Sequence, residues 1–88
     1  MENIVFSKHA LDQMIKRGAT RTEVEATIRE GEVTPAKKGR LAFRKNFPFG
    51  SEWKGKYYEM KQVMAIVVKE EERFAVITVY AFYFGGGV

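Results

Sequence analysis

The hydrophobic pattern changes period once along this chain, at Gly39. Before it, apolar residues recur at the spacing of amphipathic helices, and after it they alternate as on pleated strands. A chain whose helical and strand patterns are segregated in this way belongs to the α+β class, with helices on an antiparallel sheet.

Ile4-Val5-Phe6 is a short extended stretch, and Ser7 is placed to cap a helix running from Lys8 to Arg17. Ala10, Leu11, Met14 and Ile15 form its apolar stripe, and Gly18 is its C-cap. Thr20-Arg21-Thr22-Glu23 has the form of a capping box, with Ala19 and Val24 as its hydrophobic staple. It predicts a second helix over Thr22–Glu30, with Val24, Thr27 and Ile28 inward, closed by Gly31 and kept from restarting by Pro35.

In the second half, Leu41, Phe43 and Phe47 share one strand face, and Arg44 and Asn46 the other. Pro48-Phe49-Gly50-Ser51 reads as a turn. Trp53–Met60, Met60–Lys69 and Arg73–Phe84 read as further strands, with Glu70-Glu71-Glu72 as a hairpin loop. The expectation is two N-terminal helices packed on a C-terminal antiparallel sheet of about four strands, in which Lys56–Lys69 and Arg73–Tyr83 are neighbours. Leu11, Met14, Ile15, Val24, Ile28, Phe43, Ile66, Val76 and Val79 are the expected core. Residues 1–88 form one domain, with residues 85–88 as a frayed Gly-rich tail.

Composition narrows the chemistry. The chain has no cysteine and a single histidine, which removes disulfides, thiolate catalysis and Cys- or His-rich metal sites, so no metal and no cofactor is expected. Met1-Glu2-Asn3 does not open like a signal peptide and the longest apolar runs fall far short of a membrane span, so a cytoplasmic protein without a membrane partner is expected. The formal charge of +4 favours anionic partners. Lys37, Lys38, Arg40, Arg44, Lys45 and Lys54 form a basic belt interleaved with Phe43, Phe47, Phe49, Trp53 and Tyr57, as in surfaces that hold a phosphodiester backbone and stack bases. A solvated strand edge guarded by lysines is the competing reading.

His9 is the one side chain that titrates near neutral pH unaided, so acid–base work falls to it first. It shares a helical row with Gln13 and Arg17. A locally bonded histidine at a helix start is the plainer alternative. Lys56 and Tyr58 share a strand face, as do Thr78 and Tyr80, and these groups suit stabilisation of a developing anion. Ordinary strand residues would look the same.

The order Phe6-Ser7-Lys8-His9-Ala10, then Met14, then Arg17-Gly18, then a capped helix ending Glu30-Gly31-Glu32, then Ile77-Thr78-Val79-Tyr80 resembles the bacterial domain-of-unknown-function family 4258. That family is similar to the RelE-type and barnase-like small toxins, in which helices precede a four-stranded antiparallel sheet that cradles RNA. The resemblance implies a metal-independent ribonuclease-like site using His9, Arg17, Thr78 and Tyr80, with RNA as substrate and an antitoxin or other protein as partner. Gln13 stands where a basic residue often precedes the Met of the pattern. Two readings follow. One is an endoribonuclease in which His9 moves protons while Arg17 and Lys56 neutralise charge and Tyr58 or Tyr80 positions the phosphate. The other is a non-catalytic nucleic-acid- or protein-binding module on the same scaffold.

Overall fold

A computed structural model describes residues 3–86. They form β1 (Asn3–Phe6), α1 (Lys8–Arg17), α2 (Arg21–Glu30), β2 (Glu32–Pro35), β3 (Leu41–Trp53), β4 (Lys56–Glu70) and β5 (Arg73–Phe84), with a 3-10 turn at Lys37–Gly39. The strands make one five-stranded sheet in the order β1-β5-β4-β3-β2, with β1 parallel to β5 and the other pairs antiparallel. Both helices lie on one face. Among the described residues, no helix is long and apolar enough to cross a membrane.

The α+β class and the pairing of β4 with β5 agree with the sequence reading, but the sheet differs in two ways. The stretches read as Trp53–Met60 and Met60–Lys69 are one strand, because Pro48–Ser51 is a register shift inside β3 rather than a turn. The chain reverses instead at Lys54-Gly55, where φ values of 52° and 84° have the sign pattern of a type I′ hairpin. Two short strands, β1 and β2, then raise the count to five and make the sheet mixed rather than purely antiparallel. At the other end, the amide of Glu59 donates to the Gly85 carbonyl at 3.0 Å, which holds the start of the stretch read as frayed. Gly87 and Val88 lie outside the described residues.

Side-chain alternation along β4 settles what faces the helices. Lys61, Val63, Ala65 and Val67 are buried beneath them, so the even-numbered Ile66 is on the helix-free face, not in the core where it was expected. In β5 the register passes from Ile66–Thr78 directly to Val67–Val76, leaving Ile77 as the extra residue of a β-bulge. Val76 and Val79, three apart, therefore both reach the core. Met14, Val24, Ile28 and Phe43 join them there as expected. Leu11 and Ile15 do not: α1 lies along the edge of β5 and buries only the narrow Ala10/Met14 line, leaving Ile15 80% exposed.

β1 pairs only with the first four residues of β5, Arg73–Val76, and α1 covers the next part of that edge. The Ser7 amide and hydroxyl donate to the carbonyls of Val76 and Ile77 at 3.0 and 3.1 Å, and Arg17 Nη1 donates to that of Val79 at 2.8 Å. A strand edge that would otherwise recruit another strand is thus closed by a helix.

The helices are tied to the sheet through one buried lysine. Lys61, 3% exposed, donates from Nζ to the Gly18 carbonyl at 2.5 Å and to Glu23 Oε1 at 2.7 Å. Glu23 also completes the capping box of α2, accepting from the Thr20 amide at 2.9 Å. Gly18 takes a left-handed φ of 76° and abuts Trp53 and Tyr83 so closely that a Cβ would lie 2.6 Å from the Tyr83 hydroxyl. Replacing Lys61 by Met takes the cation away from the Glu23 carboxylate and the Gly18 carbonyl and is expected to destabilise the fold by about 3 kcal/mol in denaturant unfolding. Ile15→Lys, at a site read from sequence as core, is expected to stay within about 0.5 kcal/mol of wild type; a large loss there would contradict the exposed placement.

Candidate nucleic-acid interface on the helix-free face

Cross-strand register arranges the helix-free face as rungs, since paired residues point to the same side. Across β3, β4 and β5 these are Ala42–Ile66–Thr78, Arg44–Met64–Tyr80, Asn46–Gln62–Phe82 and Pro48–Met60–Phe84. Successive rungs are about 7 Å apart. Tyr80 and Phe82 lie nearly parallel, with centroids 6.1 Å apart and an interplanar angle of 10°. Phe82 and Phe84 are 47% and 42% exposed, a large outlay of aromatic surface for so small a chain.

Two arginines flank the Tyr80 rung. Arg17, held to the Val79 carbonyl at the strand edge, carries its guanidinium carbon 4.5 Å from the Tyr80 ring centroid. From the β3 side, Arg44 places Nη2 3.3 Å from Met64 Sδ. A guanidinium has five N–H donors, so both arginines keep donors for an anion. The strip therefore joins stacking surface to fixed positive charge.

Of the six residues singled out for chemistry, the structure unites some and separates others. Thr78 and Tyr80 share the helix-free face, and Arg17 reaches round the β5 edge to Tyr80. That face turns away from the helices, so the two hydroxyls do not enter a helix-lined cleft. His9 is exposed in the first turn of α1, about 12 Å along the helix axis from Arg17. Lys56 and Tyr58 form a separate pair, with Lys56 Nζ 5.5 Å from the Tyr58 ring. Tyr58 is about 20 Å along β4 from Met64, the residue paired with Tyr80.

The basic belt is likewise divided. Lys37 and Lys38 lie in the 3-10 turn and Arg40 just before β3, whereas Lys54 is at the far hairpin tip, about 40 Å away along the strand. Within β3, alternation sends Arg44 to the helix-free face and Lys45 to the helix side, where it pairs with Glu30 at 3.5 Å. Trp53 is not a free stacking platform: it stacks on Tyr83 at 5.0 Å and 15°.

Around Tyr83 a second aromatic group forms, with Phe49 at 5.1 Å, Tyr58 at 5.6 Å and the Lys61 ammonium at 5.7 Å. The Tyr83 hydroxyl donates to the Arg17 carbonyl at 2.7 Å, so this cluster sets the end of α1 that carries Arg17. Lys61, Tyr83, Phe82 and Gln62 were not picked out as functional from sequence. Alternation counted from Thr78 and Tyr80 would have added Phe82 to the face. A shallow pocket lined by Asn3 and Glu70–Arg73 at the β4–β5 turn is acidic and remote from the strip. Among the described residues, no group of three or more His, Asp or Glu is placed to hold a metal ion.

Two helices on one side of a mixed five-stranded sheet, with an aromatic strip on the other, define a one-sided α+β domain. The chain belongs to the family described as Domain of unknown function (DUF4258), which matches residues 6–81. The matched span includes α1, Arg17, Thr78 and Tyr80 and ends one residue before Phe82. Comparison with curated proteins and with solved structures gives no match.

Burial, and after it the Glu23 carboxylate, push the Tyr83 phenol above its ordinary 10.0. A raised folded-state value favours the fold below the unfolded value and loses that contribution as pH rises through the folded one. Stability is therefore expected to fall as pH is taken above about 10, with a late phenolate step in ultraviolet titration. Tyr83→Phe is expected to remove that step; its persistence would assign the titration to another tyrosine.

Proposed function

We propose that the chain acts on single-stranded RNA laid across the helix-free face. The observation that supports this best is Arg17 over Tyr80, fixed between the strand-edge carbonyl and the ring. Such an arginine meets a phosphate without first being ordered, while the exposed ring of Phe82 on the next rung offers a base a stacking surface. Lysines at both ends of β3 add long-range attraction for a polyanion.

Within this reading the chain is a metal-independent, toxin-type ribonuclease-like domain. His9 would take the proton of a ribose 2′-hydroxyl as that oxygen bonds to the adjacent phosphorus, the P–O5′ bond would break with the 5′-oxygen taking a proton from water, and Arg17 would offset the charge that develops on phosphate oxygens. Likeness to RelE-type and barnase-like enzymes, and cover of the face by an antitoxin, belong to the same proposal. A second reading, a non-catalytic binding module, is favoured by the separation of Lys56 and Tyr58 from the strip, which leaves His9 with few partners for the second proton transfer.

Fluorescence anisotropy with short single-stranded RNAs tests the binding. Arg17→Ala and Phe82→Ala are each expected to weaken it about 5- to 100-fold, the range for loss of one stacking or charged contact. Affinity should fall with salt by about 0.7 counterions per contacted phosphate. If cleavage occurs in EDTA, His9→Ala should slow it by about 10²–10⁴ with affinity retained. Binding without cleavage selects the module, and absence of low-salt binding overturns the RNA reading in both its catalytic and its non-catalytic form, leaving only a protein-binding module.

A further inference from the structure

The exposed rings of β5 are spaced for a strand whose bases are not stacked on one another. We infer that the helix-free face holds two adjacent bases of an extended single strand, one on Phe82 and the next on Phe84. The inference rests on the RNA reading above and assigns the bound strand a conformation rather than a sequence. Phe82 and Phe84 are two residues apart on one strand, so their rungs are about 7 Å apart. Successive bases of a stacked strand rise only about 3.4 Å, so such a strand cannot place neighbouring bases on both rings. A backbone drawn out to about twice that rise can.

Room between the rings decides where the bases go. Inserting a base between two rings needs about 6.8 Å, two stacking distances. The nearly parallel rings of Tyr80 and Phe82 have centroids only 6.1 Å apart, so no base enters between them. Tyr80 also has the Arg17 guanidinium over its ring. The ring surface left for bases therefore begins at Phe82 and continues to Phe84, which are 47% and 42% exposed.

Charge sets the path of the backbone. Arg17 and Arg44 flank the Tyr80 rung, whereas Asn46–Gln62–Phe82 and Pro48–Met60–Phe84 carry no charged residue. A phosphate between the arginines begins the segment, and the two bases follow along β5. No carboxylate on these three rungs of β3, β4 and β5 repels it. The Asn46–Gln62 amides, bonded at 3.0 Å, offer donors and acceptors that an edge of every base can answer, so the base on Phe82 is held without being chosen. A base inside a duplex cannot reach these rings, because its faces are stacked and its pairing edge is taken.

Anisotropy titration of the full chain with uridine strands of constant length provides the test, since abasic nucleotides remove bases and keep every phosphate. Two adjacent uridines in an otherwise abasic strand are expected to bind as the all-uridine strand does, to within the gain from its extra registers. One uridine alone, or two separated by an abasic nucleotide, should bind about 5- to 100-fold more weakly, the range for one base–ring contact. Phe84→Ala should abolish the gain from the second uridine and leave the single-uridine strand unaffected, with melting temperature checked alongside. The all-uridine strand annealed to its complement should bind more weakly than alone, although it carries twice the phosphates. A lone uridine or a separated pair that matches the adjacent pair, or a duplex that matches the single strand, overturns the two-ring arrangement alone. Absence of any binding that depends on Arg17 and Phe82 overturns the RNA reading itself.

Discussion

The ammonium of Lys61 is where the helical and strand halves of this chain are joined. A buried lysine is costly to hold, and it is tolerated here because Gly18, Glu23 and the rings of Phe49 and Tyr83 surround it. The Gly18 carbonyl lies at the negative end of α1, and Glu23 sits in the first turn of α2, where a carboxylate is already favoured. One cation therefore satisfies the end of one helix and the start of the next, and fixes the corner between them against β4. Tyr83 adds its bond to the Arg17 carbonyl one residue before the same corner. The placement of Arg17 over the β5 edge, on which the proposed interface depends, follows from this junction.

Two helices of ten residues each, about 15 Å long, cannot cover both faces of a sheet whose central strands run 13, 15 and 12 residues. One face is therefore left to solvent or to a partner. A face left only to solvent would alternate polar residues against the buried set. Here the outward positions instead carry Met60, Met64, Ile66, Tyr80, Phe82 and Phe84, interrupted by the Asn46–Gln62 amides and by Arg44. The edges are guarded separately: α1 bonds along β5, and β2 ends on Pro35, which has no N–H to offer another strand. The chain thus blocks growth at its β5 edge while leaving the face accessible.

Local signals in the sequence transferred well because they depend on neighbours in the chain. Ser7 and Thr20 cap the helices as read, Gly18 ends α1, and the β4–β5 hairpin forms around the acidic turn. What could not be read required knowledge of partners. Pro48-Phe49-Gly50-Ser51 has turn composition, yet pairing with Met60 and Tyr58 on β4 absorbs it as an irregularity within a strand. Leu11 and Ile15 look as apolar as Met14, and only the position of α1 at a sheet edge decides that they face outward. The bulge at Ile77 changes which residues of β5 share a face, which no alternation count anticipates. For the site, residue type singled out Arg17, Thr78 and Tyr80, but it also included Lys56 and Tyr58, which strand length carries to the other end of the hairpin.

The cations differ in the work they can do. Lys37, Lys38 and Lys54 are exposed on turns, and a long ammonium chain must lose rotamer freedom to grip a phosphate. In the proposed interface their contribution would be a field that draws in a polyanion and is screened within about 8–10 Å at ordinary salt. Arg17 is already ordered by a carbonyl and a ring, and Arg44 by its contact with Met64, so little further freedom is lost when an anion arrives. These arginines approach opposite sides of a single rung and are separated by the width of two strand spacings, about 10 Å. A strand crossing between them would meet fixed charge at two points and aromatic surface from there toward Phe84. In the proposed interface attraction would thereby be spread over the ends of the molecule, whereas register would be set on the Tyr80 rung, where two ordered guanidiniums adjoin aromatic surface.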